Sequence, residues 1–286
     1  MKKNLIAGVS LGFSGIGAVI CDENFEIIHR ISKPYPGKLG KESLVSKIAK
    51  VLSSLQGFHL CYAVGIALPA VFDFDNKKII ESEIEEIVGE NIYQLFAKRI
   101  DPPIYLFRRS FCSMLAEQAF GVAKNMKNVV LVEIGRDISA SLLLNGKIYR
   151  GNKKAAGRIS KMLVDITREK RNNSGSFGSL VTGKGIEVLT GRSIYEILKN
   201  NSQSETITKQ IVKDLKESLM TGLYNIELIL DPEMFIITGD ILENYKLFET
   251  ALRDLKVPTV RSALDKSGPP LGAAIGAYNQ FQKRRS

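Results

Sequence analysis

The chain has 286 residues, 44% of them hydrophobic and 24% charged, with a net charge of +10. That is enough apolar material for a substantial core, built as one large domain or as two lobes, and it excludes bulk disorder. No apolar run is long enough to span a bilayer, and three scattered cysteines in apolar surroundings fit reduced, buried thiols of a cytoplasmic protein.

The stretch Leu5 to Cys21 is broken by Gly8, Gly12, Gly15 and Gly17 and alternates like a strand. It reads as a core hairpin, not a signal peptide. Strands are predicted over Leu5–Ser10, Gly15–Cys21 and Phe25–Ile31. Pro34, Pro36, Gly37 and Gly40 mark a loop. Leu44, Ile48, Val51, Leu52 and Leu55 recur at helical spacing. A strand over Tyr62–Leu68 stops at Pro69. A helix over Ile92–Lys98, a strand over Ile104–Phe107 and a helix over Ser110–Ala123 follow.

The order then restarts. Strands are predicted over Asn128–Ile134 and Ser139–Leu144, with Asn145-Gly146 as a hairpin turn before Lys147–Tyr149. "RNNSGSFGS" at Arg171–Ser179 is a loop. Short helices are expected over Ile186–Leu189 and Ile194–Lys199, and a long one over Ile207–Leu230. A strand over Phe235–Thr238 ends at Gly239. A helix over Tyr245–Leu255, a strand over Val257–Ser262 and a closing helix over Leu271–Lys283 complete the second half. Two halves of similar order imply a duplicated α/β fold.

Certain short motifs recur in a fixed order. They are Gly65-Ile66-Ala67-Leu68-Pro69-Ala70, Leu115-Ala116-Glu117, and Leu144-Asn145-Gly146-Lys147-Ile148-Tyr149-Arg150-Gly151. Ala156-Gly157, Leu230-Asp231-Pro232-Glu233, Ile236-Ile237-Thr238-Gly239 and Gly272-Ala273-Ala274 follow. Each is weak alone. Together they resemble the ROK family of sugar kinases and sugar-responsive repressors, within the actin/hexokinase-like superfamily, over nearly the whole chain.

The resemblance implies two actin-like (ribonuclease H-like) α/β lobes with an interlobe cleft, residues 1–122 and 123–286, the final helix at about 271–283 being able to pack back on the first lobe. It also implies a homodimer. Repressors of the family carry a winged helix-turn-helix before the first strand. Here that strand begins at about Leu5, so the segment is expected to be absent. The basic charge is spread along the chain with short concentrations at Lys2-Lys3, Arg168–Arg171 and Lys283–Arg285. Nucleic acid is not the expected partner.

The chemical motifs of the family are altered one by one. The opening D-x-G-G-T, which serves ATP phosphates and Mg²⁺, corresponds to Ser10-Leu11-Gly12-Phe13-Ser14. A hydroxyl replaces the metal-site carboxylate, and the Phe13 ring obstructs phosphate approach. The catalytic N-D-x-N corresponds to Arg108-Arg109-Ser110-Phe111. The base position is Arg109, which stays protonated and has no acceptor. The second phosphate loop, G-T-G-x-G-G-G, corresponds to Gly135-Arg136-Asp137-Ile138-Ser139-Ala140-Ser141. Glycines are lost there, and the Asp137 anion repels phosphate.

The sugar turn G-E-x-G-H corresponds to Gly157-Arg158-Ile159-Ser160-Lys161. The zinc loop corresponds to Asn172–Ser179, without one thiolate, and the two histidines, His29 and His59, lie far away. Zinc is therefore not expected.

These readings imply a catalytically inactive binding or regulatory module with no cofactor. ATP and Mg²⁺ enter only if the chain is a sugar kinase with an unusual site, and a third reading is a regulator without its own DNA-binding domain. Arg109, Arg158 and Lys161 are the candidate ligand-binding residues. Ser10, Gly12, Gly135, Asp137 and Gly239 mark degenerate nucleotide loops. Either the cations pair with Asp137 or Glu133 in a collapsed site, or they take an anionic small molecule such as a sugar phosphate.

Overall fold

The computed structural model describes residues 4–285 apart from 13–14, 36–38, 74, 83, 173, 193–205, 240–247 and 250–251. The chain divides into two compact units. The first comprises Met1–Asn125, Arg150–Ala155 and Ala263–Ser286, and the second Met126–Tyr149 and Ala156–Ser262.

The first unit opens with strands β1 (Leu5–Leu11), β2 (Ile16–Cys21) and β3 (Ile27–Lys33), then helix α1 (Lys41–Ser53) and strand β4 (Cys61–Leu68). A small hairpin of β5 (Ala70–Asp73) and β6 (Lys78–Ser82) follows, then α2 (Ile92–Ala97), β7 (Ile104–Arg108) and α3 (Arg109–Phe120). The five-stranded sheet has the order β3-β2-β1-β4-β7. β1 is antiparallel to β2 and parallel to β4, and β4 is parallel to β7.

Alternation along β1 sorts its side chains. Leu5, Ala7, Val9 and Leu11 pack in one core with Leu44, Val45, Ile48 and Leu52 of α1, while Ile6 belongs to the opposite face.

In the second unit, β8 (Val129–Ile134), β9 (Ile138–Leu144) and β10 (Lys147–Tyr149) form a meander. Helices α4 (Ile166–Asn172), α5 (Phe177–Val181), α6 (Gly183–Thr190) and α7 (Thr206–Leu230) follow, then strands β11 (Met234–Thr238) and β12 (Thr259–Arg261). The sheet order is β10-β9-β8-β11-β12. This is the topology of the first sheet again: an antiparallel meander continued by parallel strands. Two separate sheets of one plan make this a duplicated, actin-like α/β fold. Asn145 and Gly146 both adopt positive φ, 51° and 74°, as a two-residue hairpin turn requires. Gly222 on α7 leaves the room that the buried Phe177 ring of α5 fills.

The closing helix, α8 (Gly268–Arg285), belongs to the first unit and lies on the β1–β4 face beside α3. It starts earlier than expected because Pro269 and Pro270 suit a first helical turn, where their missing N–H groups cost nothing. Its approach is close. A Cβ on Gly8, Gly65 or Gly272 would overlap the carbonyl oxygen of Pro270, Ala273 or Cys112. All three thiols are buried and free, and burial pushes Cys21 and Cys61 up to about 12.

Several expectations shift. The β5–β6 hairpin occupies a stretch after Pro69 for which no strand is predicted. Phe25 lies outside β3, at φ 63°, in a turn where Asp22 Oδ1 accepts from the N–H groups of Asn24 and Glu26. α4 and α5 take in both ends of the expected loop at Arg171–Ser179. The expected helix over Ile194–Lys199, part of that over Tyr245–Leu255, and Phe13, Ser14, Pro36 and Gly37 lie outside the described residues.

Candidate functional site

In the first unit the altered residues gather where β1 ends and α3 begins. Gly12 N–H donates to Gly15 O at 2.8 Å and Gly15 N–H to Gly12 O at 3.3 Å, so the β1–β2 turn spends these donors on itself. Ser10 is 4% exposed, and its Oγ has no hydrogen-bond partner among the described residues.

β7 runs directly into α3. Arg108 is still extended (φ −67°, ψ 140°) and stands at the N-cap without a side-chain capping bond, and Arg109 is the first helical residue. The Arg109 guanidinium lies over Gly12: its Nε and Cζ would stand 3.2 and 3.3 Å from a Cβ built there. Arg109 therefore fills space that a glycine leaves open. A guanidinium has five donors and no lone pair, so it cannot take a proton from a hydroxyl.

A neighbour invisible in the sequence is Arg150, which belongs to the first unit although it follows β10. Its Cζ lies 4.9 Å from the centre of the Phe111 ring, and Phe111 stacks on Phe107 with centroids 5.9 Å apart. Burial holds the Arg150 guanidinium below its ordinary pKa. Burial also pushes up the Cys112 thiol in the first turn of α3, with Arg109 and Arg150 pulling the other way. Both guanidinium groups thus attend the start of one helix. Glu117, in contrast, is structural. It is 1% exposed, and its two carboxylate oxygens accept from Val122 N–H at 2.9 Å and Leu264 N–H at 3.2 Å.

In the second unit, Gly135 N–H donates to Asp137 O at 2.9 Å, closing the β8–β9 turn on itself. Gly239, at φ 95°, ends β11, where a Cβ would stand 2.5 Å from Ile134 O. Gly157, at φ 86°, lies against β9: a Cβ would overlap Ala140 O, and Ala140 N–H donates to Gly157 O at 2.8 Å. The backbone of β9 thus leaves no room for a side chain at Gly157. Arg158 and Lys161 stand at the two ends of a 3₁₀ turn over Ile159–Lys161 whose Ile159 is buried. Asp137 lies beside that turn. A Cβ on Gly178 would stand 3.3 Å from Asp137 Oδ1 and 3.0 Å from Ser160 Cβ. Arg158, Lys161 and Asp137 thus belong to one region of the second unit, and Arg109 to the first.

The loop at Asn172–Ser179 is tied without thiolates. Ser179 Oγ donates to the carbonyls of Ser174 and Ser176, at 2.6 and 2.8 Å. Glu169 Oε2 accepts from Gly175 N–H at 3.0 Å, and Gly175 O accepts from the N–H groups of Val164 and Asp165 at 3.0 and 3.1 Å. Hydroxyls and backbone groups do not suit zinc, which takes Cys and His donors. The Ser10 hydroxyl is likewise a poor substitute for a magnesium carboxylate.

Comparison with known proteins agrees with this fold. The profile of the ROK family matches residues 6–273. The chain is 22% identical to an uncharacterised protein of Clostridium perfringens, over 98% of each sequence. It is 21% identical to the xylose repressor of Bacillus subtilis, over 96% of this chain and 74% of the repressor. The ROK hexokinase of Thermus thermophilus superposes with a TM-score of 0.79 at 18% identity, over 98% of this chain and 99% of the hexokinase. With the motif order, the doubled sheet topology and this match over most of its length, the chain belongs to the ROK family.

Proposed function

We propose that this protein is a non-catalytic member of the ROK family, a binding or regulatory module that holds an anionic small molecule instead of phosphorylating a sugar. The observation that carries this reading is Arg109, the first residue of α3, with its guanidinium over Gly12. Phosphoryl transfer needs an acceptor for the hydroxyl proton and open backbone donors for the phosphates. The residue at the base position has no acceptor, and the Gly12 and Gly15 N–H groups are committed to each other's carbonyl oxygens. The family's ATP, Mg²⁺ and zinc are not required by such a module. It would work in the cytoplasm as a homodimer, and no described helix is long and apolar enough to cross a membrane.

The test is a coupled ATP-consumption assay with common hexoses and Mg-ATP. The expected result is no turnover above background. Turnover that disappears in an Arg109→Ala variant would overturn the proposal and restore the sugar-kinase reading.

A regulatory role draws support from the likeness to the xylose repressor, of which this chain spans 74%. A DNA shift that weakens steeply with added salt would establish direct DNA binding. No shift is expected for this chain alone.

A further inference from the structure

Strand β3 ends the first sheet, with β2 on one side and no strand on the other among the described residues. Which of its backbone groups look outward follows from the β1–β2 turn. Gly12 and Gly15 exchange both N–H···O bonds, and opposed residues of antiparallel strands alternate between bonded and non-bonded pairs. Leu11 and Ile16 are thus a non-bonded pair, so Ile16 turns its N–H and C=O toward its other partner, Lys33 of β3. The same alternation makes Ala18–Ile31 and Ile20–His29 bonded pairs. Arg30 and Ser32 therefore direct their N–H and C=O groups away from the sheet, and neither bonds to anything there among the described residues.

This open edge has limits. Pro34 comes next in the outward phase and has no N–H, and at the other end the register steps over Ile28 in a bulge. Between them His29–Lys33 is a window for pairing, and its side chains carry a second signal. Arg30 and Lys33 are exposed and make no ion pair or hydrogen bond among the described residues. Ile31 and Lys33 share a face with Ala18 and Ile16, on the α1 side, and Arg30 projects on the other. Ile27 and Ile28, just before the window, are 39% and 45% exposed.

A second copy is the wrong occupant. Pairing β3 with itself brings Arg30 and Lys33 of both chains onto one seam, and like charges across a strand pair destabilise it. Cations on an edge are an ordinary protection against such pairing. They give no protection against a strand of opposite sign, and the net charge of +10 draws acidic partners toward the chain.

We propose that the outer edge of β3 docks an extended acidic segment of another protein, which adds to the sheet as a further strand. Arg30 and Ser32 supply the main-chain bonds. Carboxylates opposite Arg30 and Lys33, and an aliphatic side chain opposite Ile31, select the sequence. The site uses none of the altered kinase motifs, so it goes beyond the anion-binding reading. Hexose turnover would defeat that reading and leave this one standing.

The experiment titrates the full chain with a capped peptide that carries glutamate-valine-valine-glutamate between threonines, a run that fits the window in either direction. The glutamate peptide is expected to bind, more weakly as salt is raised. Its lysine counterpart and its fully N-methylated form are expected not to bind. Amide hydrogen exchange should slow at Arg30 and Ser32 and change little at Ile31, whose N–H is already bonded within the sheet. Arg30→Pro removes an outward N–H that the fold does not use, and an edge strand tolerates it. It should weaken binding by about tenfold or more. Arg30→Glu combined with Lys33→Glu should transfer binding to the lysine peptide. Thermal unfolding checks that both variants are folded.

No binding of the glutamate peptide to the wild-type chain overturns the proposal. Equal binding of the lysine peptide or of the N-methylated one does so too, since charge or strand pairing would then be irrelevant. Unchanged exchange at Arg30 and Ser32 would place the peptide elsewhere. Self-association of the wild-type chain that Arg30→Pro abolishes would give the edge to a second copy, which also overturns it.

Discussion

An aspartate and an arginine at position 109 would differ in more than sign. Aspartate accepts protons and repels phosphate, whereas arginine donates and attracts it, so one substitution exchanges a base for a receptor. The arginine itself is legible in the sequence, and its match to the base position is an expectation drawn from the surrounding motif order. The company Arg109 keeps was not legible. Arg150 lies forty-one residues further on, and nothing local to it announces the Phe111 ring it covers at 4.9 Å. Glycines divide in the same way. Gly157 was readable as part of a turn, but the reason for Gly65 appears only in three dimensions, where its missing Cβ admits the backbone of α8 at Ala273. Gly65→Ala must force strand and helix apart, because the obstacle is backbone and cannot rotate away. A loss of about 2–3 kcal/mol is expected, within the range for overpacked cores, seen as a lower urea midpoint with unchanged slope. A midpoint equal to wild type would show that α8 is not held this tightly.

At the scale of elements, hydrophobic period located the strands and long helices because each buries a repeating face. It failed where hydrogen bonds decide. The β5–β6 hairpin is two short strands joined by a turn in which Asp73 accepts from the N–H groups of Asp75 and Asn76. The Asn172–Ser179 loop is a second case. The loss of thiolates there was plain, but the Ser179 clasp has no periodic signature. Its contribution can be measured. Ser179→Ala removes a donor shared between the carbonyls of Ser174 and Ser176. It should cost about 1 kcal/mol, the ordinary net value of such a bond. Zinc chelators should leave the melting temperature of the wild-type chain unchanged. A drop in melting temperature with chelator, reversed by zinc, would mean that the loop is organised by metal after all.

For the whole molecule, the repeat of sheet order, β3-β2-β1-β4-β7 and then β10-β9-β8-β11-β12, is what the doubled succession of predicted elements anticipated. The first unit takes in Arg150–Ala155 and Ala263–Ser286 as well as the start of the chain; a place there for the closing helix was allowed for, but the return of Arg150–Ala155 was not. Removing residues 263–286 would strip α8 from β1 and β4 and leave Glu117 without the Leu264 N–H it accepts from. The truncated chain is expected to lose the cooperative unfolding of the first unit while the second still protects its amides in hydrogen exchange. Equal protection in both would show that α8 is dispensable.

The ownership of α8 also bears on synthesis. All of the second unit, Met126–Tyr149 and Ala156–Ser262, is synthesised before the helix at 268–285 that covers β1. The later-encoded unit can therefore complete its core while the earlier one waits with Gly8 and Gly65 uncovered. Domains fold as units during translation, and an uncovered apolar sheet face invites association. The nascent chain thus matures out of order, and chaperone contact should concentrate on its beginning.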